Sequence, residues 1–376
     1  MSGHDVIVVG GGSAGCVLAA RLSEDASRRV LLLEAGPYYP ERSDLPDDLR
    51  SSSAMSGSHD WGFRGEPGAS GRAVSIPRAK VMGGCSSTNA TLALRGASAD
   101  YDRWAALGNP GWSFDDVLPF FKKLERDLDF DNDWHGATGP VPVRRYLREE
   151  LAPPNRAFLE ALLSAGHPWV DDANKPGAAG VSTGPVNAVD GVRMSASLTY
   201  LAAARHRRNL TIRAGALVDR LVLDRGRAAG VRIAGTGEML AADLVVLAAG
   251  AFCSPAILLR SGIGPAADLT ALGISAAVDL PGVGNNLHDH PGVACSVPIE
   301  PTMGPHHQVV ATWRSSRAPA GWPYDVHVVP GFGGEERSPT GVAASLFVSV
   351  VKPKSRGRLS LRSADPSDSP RIDTGY

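Results

Sequence analysis

The chain has 376 residues, and its 38 basic and 39 acidic residues give a formal net charge of −1. This balance argues against a protein that holds nucleic acid through its phosphates, because such binding needs an excess of basic side chains. Apolar residues make up 43% of the sequence, which is typical of a globular protein with a sizeable core. No apolar run reaches the roughly 18 residues of a membrane-spanning helix, so we expect no transmembrane segment.

The four cysteines lie far apart in the sequence and form no C-x-x-C pair. Neither a disulfide framework nor a zinc site is predicted from this spacing, and we expect no bound metal. The N-terminus also lacks the charged and apolar regions of a secretory signal. We therefore expect a cytoplasmic protein.

The first 35 residues contain a strand, a glycine-rich turn, a helix and a second strand. The apolar run at 5–9 predicts a buried parallel strand, and the turn after it matches G-x-G-x-x-G with Gly10, Gly12 and Gly15. Such glycines permit a tight turn, a close approach of the backbone to a pyrophosphate, and close packing of helix on strand. The second strand ends on Glu34, placed to accept hydrogen bonds from a ribose. The unit predicts a dinucleotide site without deciding between FAD and NAD.

A second glycine loop, IPRAKVMGGCSSTN, occupies residues 76–89. It has two cations before its glycine doublet and a cluster of hydroxyl and amide side chains after it. Backbone amides and small polar groups of this kind can lie against an anionic or heteroaromatic surface. Taken alone, the loop is equally well explained as a glycine turn between helices.

Two further segments also contain glycine-rich stretches, one after a predicted strand and one in a loop. A buried strand is predicted at 244–250, and Ser254 as N-cap with Pro255 at the first helical position then predicts a helix start. The segment at 281–290, PGVGNNLHDH, is too rich in Gly and Asn for a helix.

Ser113, with Asp116 three residues later, predicts the capped start of another helix. Helices are also expected at 155–165 and 193–206.

Four segments of the sequence resemble the glucose–methanol–choline (GMC) family of FAD-dependent oxidoreductases and occur in the family's order. They are the N-terminal fingerprint that ends in Glu-Ala-Gly at 34–36, the loop at 80–89, the stretch at 250–265 and the loop at 282–290. The resemblance covers most of residues 4–290 and resumes at 354–358. It implies an α/β fold, with a Rossmann-like FAD-binding domain and a second α+β substrate domain built on an antiparallel sheet. We expect the discontinuous FAD-binding domain at 1–150 and 186–290, and the substrate-binding domain, C-terminally incomplete, at 151–185 and 291–376.

The resemblance also implies which residues meet the FAD. These are Gly10, Gly12, Ser13, Ala14, Gly15, Glu34, Ala35, Lys80, Gly83, Gly84, Ser87, Asn89, Val218 and Gly250. Val218 matches a position whose backbone meets the adenine, and it can at the same time be a core valine. Some relatives attach the flavin through a histidine directly before the asparagine of the second loop. This chain has Thr88 there, so we expect non-covalent FAD.

The family oxidises the CH–OH group of an alcohol: a base takes the hydroxyl proton while hydride passes to the flavin N5. Histidine commonly serves as that base. In family members it lies beyond the Arg-Gly-Arg strand, here at 356–358, whereas this sequence stops at Tyr376. We therefore name no catalytic residue. Either the sequence is a fragment or frameshifted product, or a short protein borrows its base from a partner.

Strand-like runs without intervening helices follow His290, at 294–299, 309–313, 324–329, 346–351 and 358–361. They predict an antiparallel sheet, a natural wall for a substrate pocket above the flavin. Three aromatic residues are candidates either for lining this pocket or for core packing: Trp313, Trp322 and Phe347.

The leading hypothesis is a GMC-type alcohol dehydrogenase or oxidase. It would use a small alcohol and an electron acceptor, which is O₂, a quinone or another redox carrier, and no nucleic-acid partner is expected. A second hypothesis is a catalytically silent or partner-dependent flavin protein that acts in electron transfer. A third is an NAD-dependent Rossmann enzyme, which the second glycine loop disfavours.

Overall fold

Helices and strands alternate along the first part of the chain, and strands dominate its last third. The structure, a computed structural model, describes residues 3–68, 71–336 and 338–376. The α-helices in these ranges are α1 (Ser13–Leu22), α2 (Asp47–Arg50), α3 (Ser98–Ala106), α4 (Phe114–Leu124), α5 (Pro153–Ser164), α6 (Ala202–Ala204), α7 (Gly250–Arg260) and α8 (Ala266–Ala271). Single 3-10 turns lie at Arg42–Asp44, Gly84–Ser87 and Arg148–Glu150, and a π-helical turn lies at Ser197–Leu201.

The first eight strands in the described ranges contain two to six residues each. They are β1 (His4–Val9), β2 (Val30–Leu33), β3 (Glu125–Asp127), β4 (Val141–Arg145), β5 (Val181–Thr183), β6 (Pro185–Val186), β7 (Ala188–Val189) and β8 (Val192–Arg193). The remaining strands are β9 (Leu210–Arg213), β10 (Val218–Asp224), β11 (Arg227–Ile233), β12 (Met239–Leu247), β13 (Ile263–Gly264), β14 (Val278–Asp279), β15 (Asn285–Leu287), β16 (Gly292–Pro298), β17 (Val309–Trp313), β18 (Val326–Gly334), β19 (Val342–Val350), β20 (Gly357–Ser360) and β21 (Arg371–Asp373).

A six-stranded sheet in the order β10-β11-β12-β1-β2-β9 forms the first core. Its four strands β12, β1, β2 and β9 are parallel, and β10 and β11 join them antiparallel. Alternate residues of β1 pack on opposite faces: Val8 lies in the cluster that includes Ala19 of α1, and Ile7 lies with Ile257 of α7. Burial on both faces explains why these strands are continuously apolar. The Rossmann-like part of the predicted fold is confirmed.

A five-stranded antiparallel sheet in the order β16-β19-β18-β17-β5 forms the second core. One of its faces packs on α5, where Leu159 shares an apolar cluster with Val309 and Val328. Side chains alternate along each strand, so the opposite face carries the intervening residues, Thr312 and His327 among them. The antiparallel sheet predicted after residue 290 is therefore present.

The composition of this sheet differs from the prediction in one strand. The run expected at 358–361 forms β20, which pairs with β15 and β21 in a separate three-stranded sheet. The place in the large sheet is taken by β5, from more than 100 residues earlier, which pairs with β17. Periodicity identifies a strand but not its partner, because pairing is decided by the tertiary fold.

Two of the predicted helix starts have different outcomes. At α4 the prediction is confirmed, since Ser113 and Asp116 form a capping box. The prediction for Ser254 and Pro255 is wrong, because α7 begins at Gly250 and includes Pro255. Gly250 has φ +80° and turns the chain directly out of the parallel sheet, so the helix starts five residues before the predicted first position at Pro255. The helix expected at 193–206 is present only as the π-turn and α6.

The last residues of the chain pack on α7. Ile372 of β21 is fully buried and shares an apolar cluster with Phe63, Phe252 and Leu359. Within the described ranges, no helix is both long enough and apolar enough to cross a membrane.

Candidate cofactor and active site

The first glycine loop turns the chain directly from β1 into α1. Gly10 has φ +99°, and a Cβ added to it would lie 2.6 Å from the carbonyl oxygen of Ala248. A Cβ on Gly15 would lie 1.8 Å from the carbonyl oxygen of Gly10. Gly12 precedes α1 without a side-chain cap, so the first N–H groups of the helix are available to an anion.

The substitution Gly15→Ala is expected to lower the free energy of unfolding by about 3 kcal/mol, because the new methyl group must displace the Gly10 carbonyl. Urea unfolding of the FAD-free protein measures this change. Gly57→Ala is the matched control, since a Cβ there meets no atom within 4 Å. Equal stability of the two variants would contradict the close packing of α1 on the loop.

Glu34 lies at the carboxyl end of β2 and is 6% exposed. Its two carboxylate oxygens accept hydrogen bonds from the backbone N–H groups of Gly11 and Gly36, each at 2.8 Å. Burial raises the pKa of Glu34, while these backbone hydrogen bonds act in the opposite direction. A carboxylate has about four lone-pair positions, so Glu34 keeps the capacity to accept from a ribose diol.

The second glycine loop contacts the first one directly. The Gly83 N–H donates to the carbonyl oxygen of Gly11 at 2.7 Å. A Cβ on Gly84 would lie 2.7 Å from the Cα of Gly12. Gly83 and Gly84 have φ +91° and +53°, a conformation that favours glycine. Two loops that are about 70 residues apart in the sequence therefore form one continuous surface.

A cavity of about 610 Å³ opens onto both loops. Nine of the fourteen residues predicted to bind the cofactor line it: Gly10, Gly12, Ser13, Ala14, Glu34, Ala35, Gly84, Val218 and Gly250. The N-terminus of α7 borders the same cavity as that of α1, so two positive helix ends face one space. Val218 is also part of the apolar core, so both of its predicted roles fit its position.

The other five predicted residues are not among the lining residues. Gly15 packs α1 on the loop, and Gly83 makes the turn that brings in Gly84. The Ser87 hydroxyl donates to the Met82 carbonyl oxygen at 3.0 Å, and the Asn89 side-chain oxygen accepts from Thr91 N–H at 3.1 Å. Lys80 Nζ lies 4.6 Å from the ring centre of Trp61.

Sequence reasoning missed two parts of the cavity wall. Arg78 lines the cavity with its guanidinium 5.0 Å from the ring centre of Phe252, and it makes no ion pair with any described residue. The sequence shows that Arg78 is a cation, but it does not show that this side chain lines the cavity. The segment 366–370 lines the cavity from the far end of the chain and carries no motif that could have identified it.

These features fit FAD. The glycine loops and helix N-termini suit a pyrophosphate, Arg78 supplies a positive charge, and Glu34 suits a ribose. The wall also contains an apolar portion, with Phe63, Leu217 and Ile257, that suits a flat ring.

A second cavity of about 290 Å³ lies on the face of the antiparallel sheet opposite α5. Its wall includes Ser182 of β5, Thr312 of β17 and His327 of β18. Burial and, to a smaller extent, the nearby His290 lower the pKa of His327 to about 4, so its imidazole is neutral at pH 7. The three candidate aromatic residues, Trp313, Trp322 and Phe347, line neither of the two cavities.

A buried ion cluster lies next to this second cavity. It consists of Arg95, Glu125, Asp127, His135, Arg145 and Asp172. Potential metal-ligand atoms of Glu125, Asp127 and His135 lie within 4.8 Å of one another. Arg95, Arg145 and the protonated His135 pair with the three carboxylates, so the charges are balanced inside the cluster.

The fold and the two joined loops define a dinucleotide-binding protein of the Rossmann class. A family model described as GMC oxidoreductase matches residues 4–292. The oxygen-dependent choline dehydrogenase of Photobacterium profundum is 35% identical over 99% of this chain and 72% of its own length. The 5-(hydroxymethyl)furfural oxidase of a Methylovorus species is 36% identical over 98% and 73%.

A solved structure agrees with these relatives. Pyridoxine 4-oxidase from Mesorbium loti superimposes with a TM-score of 0.89 and 35% identity, over 99% of this chain and 76% of that one. The chain belongs to the GMC oxidoreductase family. It is an FAD-dependent enzyme that oxidises the CH–OH group of a small alcohol and passes the electrons to an acceptor.

Proposed function

We propose that the first cavity binds one FAD non-covalently, with the pyrophosphate on Gly10–Gly15 and the adenosine ribose at Glu34. The observation that carries this proposal is the contact between the two loops, the 2.7 Å hydrogen bond from Gly83 N–H to the Gly11 carbonyl oxygen. It supports a single extended ligand that touches both loops. Arg78 and the N-termini of α1 and α7 would balance the charge of the pyrophosphate.

Non-covalent binding is supported at residue 88. Thr88 stands directly before Asn89, and neither residue lines the first cavity. A threonine hydroxyl is also a poor nucleophile without an activating base.

We place the alcohol in the second cavity. Leu94 lies in the wall of this cavity and follows Asn89 of the second glycine loop by five residues. Even a fully extended chain would therefore keep Leu94 and Asn89 within about 18 Å of each other, which supports this placement. His290, at the end of the Asn-rich loop, borders the same cavity. The two-domain division at 1–150 with 186–290, and 151–185 with 291–376, is part of this proposal.

When bound, FAD supplies the acceptor for the hydride of the alcohol carbon. The residues of the first cavity would hold and orient the FAD, and the face of the antiparallel sheet opposite α5 forms part of the wall of the second cavity. His327 is held neutral by burial, and a group with a pKa near 4 is a weak base at pH 7, so we assign it no proton-transfer role. We propose dioxygen as the acceptor, because the relatives named above are oxygen-dependent enzymes or oxidases. The four unpaired thiols support a cytoplasmic location.

The purified protein is expected to be yellow and to release its flavin into the supernatant on acid precipitation. An anaerobic panel of primary alcohols should bleach the flavin absorbance, and admission of air should restore it. Flavin that stays with the precipitate would contradict non-covalent binding. If dithionite bleaches the flavin but none of the alcohols does, the result would instead favour the catalytically silent electron-transfer protein.

A further inference from the structure

Every ionised Asp, Lys or Arg side chain in the wall of the second cavity has a partner of opposite charge. Lys352 Nζ forms an ion pair with Asp100, and Trp322 Nε1 donates to the same carboxylate at 2.8 Å. Arg95 pairs with Glu125 at 2.6 Å inside the buried ion cluster. The cavity therefore offers a ligand no uncompensated carboxylate within the described residues.

The side-chain polar groups that remain available include the hydroxyls of Ser182 and Tyr324 and the Nε2 of the neutral His327, which has no hydrogen-bond partner among the described residues. Ser182 is 2% exposed, and its hydroxyl has no hydrogen-bond partner in the described ranges. The Tyr324 hydroxyl also has none there, and burial raises the pKa of this phenol to about 12, so it stays neutral. Such hydroxyls can donate to and accept from an alcohol oxygen.

Resting on the placement of the alcohol in this cavity, we propose that the substrate is an uncharged alcohol rather than a quaternary ammonium alcohol such as choline. A quaternary ammonium needs an unpaired carboxylate or a cage of aromatic rings. Among the lining residues described, Tyr324 is the one Phe, Tyr or Trp, and Asp100 is already neutralised by Lys352. Moving a cation into this cavity would remove its water without supplying a compensating partner.

Choline and 3,3-dimethylbutan-1-ol form the test pair, because they have the same shape and differ in the charge of one central atom. Binding to the FAD-loaded full chain is measured anaerobically, by calorimetry and by the change in flavin absorbance. We expect the neutral alcohol to bind at least about tenfold more tightly. Equal or tighter binding of choline overturns the inference and leaves the proposed function intact.

A variant tests the cause. Lys352→Met leaves Asp100 unpaired and should strengthen choline binding by about tenfold, with little change for the neutral alcohol. Lys123→Met, on the exposed surface of α4, is the matched control. Asp100→Asn, as a second variant, should weaken choline binding further. If neither alcohol binds while FAD binding is normal, the second cavity is not the alcohol site, and both its placement and this inference fall.

Discussion

Replacing His135 by alanine is expected to lower the free energy of unfolding by about 3–5 kcal/mol. Its Nδ1 lies 2.8 Å from Glu125 and 2.9 Å from Asp127, and its Nε2 lies 3.0 Å from Asp172. Both ring nitrogens face carboxylate oxygens, so both must donate and the ring must carry a proton on each. The side chain is fully buried, and its removal leaves the buried ion cluster with one uncompensated negative charge.

The effect of this substitution should depend on pH. Burial opposes the charged imidazole, but hydrogen bonds to Asp127, Asp172 and Glu125 outweigh it and raise the pKa of His135 from 6.5 to about 10. A raised pKa in the folded protein stabilises it fully below the unfolded value, and this contribution is lost as the pH rises through the folded value. The difference between wild type and variant should therefore be largest below pH 6.5 and shrink towards pH 10.

Urea unfolding at a fixed FAD concentration, repeated across this pH range, measures the difference. His206→Ala is the control, because His206 is exposed and should change stability by less than about 0.5 kcal/mol. A pH-independent loss in His135→Ala would show that the imidazole fills space without carrying charge.

The second large effect is expected on cofactor affinity: Glu34→Ala should weaken FAD binding by about 100-fold. Two hydrogen bonds from a ribose diol to a carboxylate together contribute about 3 kcal/mol, and each 1.4 kcal/mol corresponds to a factor of ten. The variant also frees the backbone N–H groups of Gly11 and Gly36, which now donate to the carboxylate at 2.8 Å. Glu34→Gln keeps one acceptor and should lose less.

Titration of flavin fluorescence gives the dissociation constants of FAD and of FMN, which lacks the adenosine. If the variant only loses a contact to the adenosine ribose, the affinity for FAD should fall while the affinity for FMN stays unchanged. If the loop collapses instead, the affinities for both should fall equally. Glu24→Ala, an exposed acid that pairs with Arg21 just beyond α1, is the control and should bind FAD normally. An unchanged affinity for FAD in Glu34→Ala would remove this residue from the cofactor site.

Local motifs predicted the first glycine loop well because their requirements are local. The positive φ of Gly10 belongs to the turn itself, and Gly15 packs on the carbonyl oxygen of Gly10, five residues earlier. The tight space at Gly10 is also set by the distant Ala248, which the local motif does not encode. The helix at α7 shows the limit of this reasoning. Proline is common in the first turn of a helix, which is why Pro255 predicted a helix start, but the turn at Gly250 starts α7 earlier.

What the sequence by itself determined was the parallel sheet, the glycine turn at residues 10–15, the strand that ends before Glu34, and the existence of a later antiparallel sheet. Each is a periodic or short-range signal, fixed by side-chain size and backbone freedom at neighbouring positions. Only the tertiary structure decided that Gly83 meets Gly11, that β5 completes the antiparallel sheet, and that residues 366–370 line the first cavity. These contacts join segments 70 to more than 300 residues apart, and no local pattern encodes them, because they follow from the packing of all the layers at once.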